Sequence, residues 1–137
     1  MEEQVNLAEK AAVGWIGLFV VMFANGTARV LLLQPWLGED LARQVASVTG
    51  VVLVLLASRL FVRASPEAKR AQLLWVGVGW LGATVAFEFL FGHFVSGLNW
   101  SSLLADYNIL RGRLWLLVLV SVSVGPWLWG VVLGRSR

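Results

Sequence analysis

Residues 73–91 read LLWVGVGWLGATVAFEFLF. These nineteen residues hold one charge, Glu88, and no proline. A helix needs about 20 predominantly apolar residues to cross the hydrocarbon core of a bilayer. This stretch therefore decides the fold class: it reads as a membrane span. Three further runs of the same kind flank it, at about 13–32, 45–62 and 114–133. Three short connections join them, leaving no room for a soluble domain. The expectation is all-α: a four-helix transmembrane bundle forming a single integral membrane domain over residues 1–137.

Composition agrees. Of 137 residues, 58% are hydrophobic and 14% charged, and the mean hydropathy is +0.77. A soluble domain this small must cover itself with charge, and this chain cannot. The absence of cysteine excludes a disulfide-stapled module and a cysteine-built metal or iron–sulfur site. The net charge of +3 does not signal nucleic-acid binding, because the basic residues sit at the ends of apolar runs and no basic stripe is interleaved with exposed aromatics. The first run opens with Met1-Glu2-Glu3, acidic where a secretory signal is basic, and is expected to remain as an anchor.

Lysine and arginine set orientation. Lys10, Arg59, Arg63, Lys69, Arg70, Arg135 and Arg137 fall on one side, and Arg29, Arg43, Arg111 and Arg113 on the other. Seven against four places both termini in the cytoplasm. Trp36, Trp100, Tyr107 and Trp115 then form an outer aromatic belt, and Trp15, Trp75, Trp127 and Trp129 an inner one.

Gly14-Trp15-Ile16-Gly17 matches Gly79-Trp80-Leu81-Gly82 at an offset of 65 residues, which suggests two repeated hairpins. Parallel repeats of this kind occur in transporters; chance matching of abundant residues is the competing explanation. Small residues let membrane helices approach closely. Ala46/Gly50, Gly79/Ala83 and Gly82/Ala86 suit packing inside the bundle. Gly130 and Gly134 suit either that or a homo-oligomer through the fourth span. Pro126 removes a donor within that span and predicts a kink, with Ser121 and Ser123 close enough to help.

The chemistry gathers at the outer side. Arg29 and Glu88 fall at nearly equal depth when each is counted along its own span, and they carry opposite charge. An ionisable group at membrane depth normally faces the bundle interior and finds a partner, so a direct ion pair is expected, with Arg113 as the alternative partner of Glu88. Asn25 lies one turn from Arg29. His93 follows Glu88 by five residues. Trp100, Leu103, Leu104 and Tyr107 recur at i, i+3, i+4 and i+7, the mark of a short interfacial helix before the fourth span. Asp106, Arg111 and Arg113 follow it. The candidate binding residues are thus Asn25, Arg29, Glu88, His93, Asp106, Arg111 and Arg113. Arginine suits bidentate capture of carboxylate or phosphate, so an anionic small molecule or lipid headgroup is the ligand class expected. Each residue also has a plainer reading: Arg29 as a snorkelling side chain, His93 as a belt residue, and Asp106 with Arg111 or Arg113 as a loop ion pair. Glu39 and Asp40 suit the N-terminus of the second span. One histidine without cysteines does not make a metal or haem site, so neither metal nor cofactor is expected. The triplets Asn25-Gly26-Thr27 and Asn99-Trp100-Ser101 are not read as glycosylated.

Phe87-Glu88-Phe89, Gly92-His93, Trp100, Asp106-Tyr107-Asn108 and Gly112-Arg113-Leu114-Trp115 together resemble a group of small uncharacterised bacterial four-span integral membrane proteins. The resemblance implies the fold and a bacterial inner membrane, and it implies no activity. Three functions are compatible with the residues. The first is binding or transport of a small molecule, ion or lipid headgroup at the outer cluster. The second is a structural or accessory subunit whose charges set helix register. The third is an intramembrane lipid-modifying enzyme using Glu88 and His93 for acid–base work, which is disfavoured by the lack of a nucleophile–base pair.

Overall fold

The computed structural model describes residues 2–95, 97, 99–101 and 115–137. Every element among them is helical. Helix α1 (Glu2–Ala28) runs through a π-helical turn (Arg29–Leu33) into α2 (Gln34–Leu37). Gly38, at φ +83°, reverses the chain into α3 (Glu39–Arg63). Helix α4 (Arg70–Leu90) ends in a second π-helical turn (Phe91–Val95), and α5 (Trp115–Val132) closes the bundle. Asn6–Leu37, Glu39–Arg63 and Arg70–Val95 are each long and apolar enough to cross a membrane, whereas the described apolar part of α5, Leu116–Val132, is shorter. Large apolar side chains face outward all round, among them Val13, Phe23, Leu60 and Trp75. On a soluble protein such a surface would aggregate; against lipid it is the favoured one.

The helices overrun the apolar stretches that announce them. Helix α1 starts at Glu2 rather than near residue 13 because Glu, Gln, Leu, Ala and Lys of residues 2–12 are strong helix formers. Glu39 and Asp40 suit the positive end of the α3 helix dipole.

Helix α5 is the centre of the bundle and packs on both α3 and α4, while α1 lies mainly on α3. Close approach rests on glycine. A Cβ at Gly77 would collide with the Ser123 carbonyl of α5, and one at Gly125 would stand 2.6 Å from Ser58 Oγ of α3. Between these crossings Val54, Leu73, Val118 and Val122 are buried almost completely.

Several expectations are corrected. Gly130 packs within the chain, the first of its two readings: a Cβ there would meet Leu73 Cδ1 at 2.6 Å. Gly134 ends the helix instead, with φ +76° and the Arg135 N–H returning to the Gly130 carbonyl at 2.8 Å. Gly79 and Gly82 have open space beside them rather than a neighbouring helix. Ser121 and Ser123 donate to the Leu117 and Val120 carbonyls, each 2.9 Å away, and not to the carbonyl of Val122 that Pro126 frees. Trp15, Trp80 and Trp129 act as clamps between helices: their indoles donate to Thr84 Oγ1 (3.1 Å), the Ala11 carbonyl (2.9 Å) and the Leu55 carbonyl (2.8 Å). Trp36, Trp75, Trp100 and Trp127 are exposed. Of the expected interfacial helix, Trp100 and Ser101 are described and helical, and Leu103, Leu104 and Tyr107 lie outside the described residues.

The two Gly-Trp quartets lie alongside each other, but one turn out of step. Trp15 bonds to Thr84 and Trp80 to Ala11, each pair 69 positions apart. The sequence match has an offset of 65. Four residues are about one helical turn, or about 5.4 Å of axial shift.

At one end of the bundle the chain ties itself down. Arg135 Nη2 donates to the Val62 carbonyl at 2.9 Å, placing a cation on the last turn of α3. The Arg70 N–H donates to the Ser136 carbonyl at 2.8 Å. Lys10 Nζ donates to the Ala64 carbonyl at 3.3 Å and pairs with Glu67 at 3.0 Å. A backbone N–H bond, and then the Lys10 ammonium, hold the Glu67 carboxyl below its ordinary value.

Candidate functional site

The expected cluster lies at the other end, where both spans that carry it leave the α-helical path. In the first, the Gln34 N–H reaches back five residues to the Arg29 carbonyl, so Arg29 opens the π turn. In the second, Glu88 sits just before the π turn and His93 within it. Such turns are rare and fall often at functional sites. No sequence period marks them, and sequence reading missed both.

Asn25 faces α3, and its Nδ2 donates to the Ala46 carbonyl at 2.9 Å. Arg29 sits one turn further on and is half-buried. Its Nε is buried and meets no hydrogen-bond partner among the described residues. Arg70 and Arg135 also have a buried, unpartnered Nε. They differ in setting, because both lie at the tied end beside the helix termini, and Arg135 spends Nη2 on Val62. Arg29 lies within the apolar stretch from Asn6 to Leu37. The α1–α3 bonds, Asn25 to Ala46 and Lys10 to Ala64, place it level with the turn holding Arg43. Arg43 is itself paired with Glu39 at 3.2 Å.

Glu88 is half-buried and engaged, not free. The expected direct pair with Arg29 is not formed: the ion pairs among the described residues are Lys10–Glu67 and Arg43–Glu39. The reason is axial register. Trp15 against Thr84, and Phe19 edge-on to Phe87 with centroids 4.8 Å apart, align α1 with α4 at an offset of 68 to 69. Glu88 is therefore level with Phe19 and Val20. Arg29 lies nine or ten residues beyond, about 14 Å along the axis. Arg113, the second choice, lies outside the described residues, as do Asp106 and Arg111.

His93 is held in an aromatic clamp. Its ring stacks on Trp100 with centroids 3.9 Å apart and planes 15° from parallel, and Phe94 meets it edge-on at 4.8 Å. Phe89 stacks on the same indole at 6.2 Å. The structure thus gives two separate groups: Asn25 and Arg29 beside α3, and His93 at the end of the third span stacked on Trp100, which follows it, with Glu88 further back on that span. Among the described residues no group of three His, Asp or Glu is placed to hold a metal ion. Sequence reading also missed a groove between α1 and α4 at the tied end, lined almost wholly by apolar residues. Its signal was present in the run of alanines at 8, 11 and 12. No protein-family model, curated protein or solved structure matches the chain.

Proposed function

We propose that this chain is a four-span protein of a bacterial inner membrane, with both termini cytoplasmic. On this reading it binds or transports a small anionic or zwitterionic molecule, or a lipid headgroup, at the end of the bundle that carries Arg29. The observation that supports the reading is the setting of Arg29. A guanidinium at membrane depth normally finds a carboxylate or carbonyl, and this one keeps a buried nitrogen without a partner among the described residues. Its planar fork of donors matches carboxylate or phosphate oxygens. On this reading His93, with Asp106, Arg111 and Arg113 outside the described residues, would border the same ligand, whereas Glu88 lies about 14 Å from Arg29 along the axis. The accessory-subunit reading draws on Asn25, whose amide is spent on holding α1 to α3.

The test is thermal stability of the purified protein across a panel of anionic and zwitterionic metabolites and lipids. The expected result is a compound that raises the melting temperature of the wild type and not of Arg29→Gln. A panel that raises neither favours the accessory subunit. Orientation is tested by cysteine labelling on a chain that has no native cysteine. Ser65 is fully buried, so the probe belongs at the exposed Ala64. A cysteine there should resist a membrane-impermeant reagent in intact cells, and one at Ser101 should react. The reverse pattern would overturn the orientation.

A further inference from the structure

The groove between α1 and α4 stands apart from the Arg29 end. Its volume is about 640 Å³. It runs from Leu7 and Gln72 to Ile16 and Ala83, a length of about 15 Å at the rise of an α-helix. Small residues form both walls, with Ala8 and Ala12 on α1 and Gly79 and Ala83 on α4. The buried Trp80, packed edge-on against Phe61, is its floor. Ile16 and Trp75 stand out as rims, 57% and 73% exposed.

Of the three indoles in the lining, those of Trp15 and Trp80 have already donated their N–H groups, to Thr84 and to Ala11, and that of Trp75 stands at the exposed rim. The body of the groove therefore offers an occupant no hydrogen bond, and it suits a hydrocarbon. Polar groups gather at one mouth only. Gln72 lines the groove there, and its Oε1 accepts the Lys69 N–H at 2.9 Å. Lys69 is the N-cap of α4, with an extended backbone (φ −89°, ψ 159°), and its bond to Gln72 puts it beside that mouth. Lys69 is exposed, and its ammonium has no partner among the described residues. The nearby carboxylate of Glu67 is already taken by Lys10.

A second copy of the chain fits this groove poorly. A two-fold pairing within one membrane would set Lys69 against Lys69. An amphiphile with a long apolar chain and a negative headgroup fits both parts at once. We propose that the groove is a binding site for an anionic phospholipid, with one acyl chain lying between α1 and α4 and the phosphate at Lys69 and Gln72. Basic residues at the membrane surface beside a cleft between spans are the setting in which such headgroups bind.

The site holds Trp15, Trp75 and Trp80, so brominated acyl chains report on it by quenching tryptophan fluorescence. The full chain would be reconstituted in phosphatidylcholine vesicles doped with brominated phosphatidylglycerol or, in parallel, brominated phosphatidylcholine. The expected result is quenching several-fold stronger with the anionic lipid at equal doping. That excess should disappear in Lys69→Glu and persist in Arg63→Glu, which reverses an exposed charge off the groove face. It should also disappear in Gly79→Phe. A Cβ at Gly79 meets nothing within 4 Å, so the ring of this variant has room to enter the groove while the helical spectrum and melting temperature report an intact bundle. Equal quenching by the two lipids would overturn the proposal. So would an excess that survives Gly79→Phe, or one lost equally in Lys69→Glu and Arg63→Glu. A dimeric wild type that Gly79→Phe converts to a monomer would assign the groove to a second copy instead.

Discussion

The two ends of this bundle are built differently. At one, three cations reach across between segments: Arg135 to the Val62 carbonyl, Lys10 to Ala64 and Glu67, and Arg59 over the Trp129 ring at 5.4 Å. At the other, Arg29 makes no side-chain bond among the described residues, both spans change to π-helical turns, and an imidazole lies stacked on an indole. The first end uses its charges to fix the helices. The second leaves the buried Nε of Arg29 without a partner among the described residues. A basic residue at the end of an apolar run thus has two uses, and sequence position alone does not separate them.

The largest effect that could break this comparison lies at the α4–α5 crossing, on which the tied end depends. Gly77→Leu must push α4 away from the Ser123 carbonyl, whereas Gly79→Leu points into open space. Overpacking on this scale costs about 3 kcal/mol or more. Gly77→Leu should therefore lose most of its folded yield in detergent, measured by size-exclusion chromatography, and Gly79→Leu should keep it. Equal yields would mean that α4 does not approach α5 through Gly77. A smaller effect concerns the clamp between α1 and α4. Trp80→Phe keeps the ring but loses the bond to the Ala11 carbonyl, and should cost about 1–2 kcal/mol in chemical denaturation. Asn25→Ala, which loses the bond to Ala46, should cost about 1 kcal/mol. If Asn25→Ala costs far more, the Arg29 end is fixed as firmly as the other and the contrast fails.

The smallest effect is that of pH. Glu67 has a folded-state pKa below its ordinary value of 4.5, so its contribution to stability is present above that value. It should fade as pH falls through the lowered pKa. The carboxylate is exposed, so the change is slight. Comparing the wild type with Glu67→Gln across acid pH checks it: the two melting curves should converge as the pH drops. A gap that widens would reverse the sign.

Much of the helical plan was legible. Four apolar runs are set apart by basic and turn-forming residues, and three of them match helices long enough to cross a membrane. The misreadings share one cause. Hydropathy marks where an apolar run begins, not how far one helix slides along another. Arg29 and Glu88 looked level because each was counted from the edge of its own apolar run. The bonds of Trp15 and Trp80 set the alignment instead, and they shift it by a turn from the sequence repeat. Face was equally hidden. Helix α4 is apolar all round, so spacing could not say that Gly77 faces α5 while Gly79 and Gly82 face outward. The π turns leave no compositional trace. Arg29 and His93 were found because charge at membrane depth is rare, which is a property of sequence. The absence of an Arg29–Glu88 pair is a property of packing.

The central claim is that the buried Nε of Arg29 has no partner among the described residues, while the guanidinium of Arg135 serves the fold. The most direct test is the melting temperature of Arg29→Gln beside Arg135→Gln, in the same detergent and without added ligand. Removing a buried donor that lacks a partner relieves a desolvation cost, whereas removing one that caps a helix loses a bond worth about 1.5–3 kcal/mol. The account predicts that Arg29→Gln melts at or above the wild type and Arg135→Gln several degrees below it. Equal falls in both variants would show that Arg29 is a structural tie like the other, and would contradict the account.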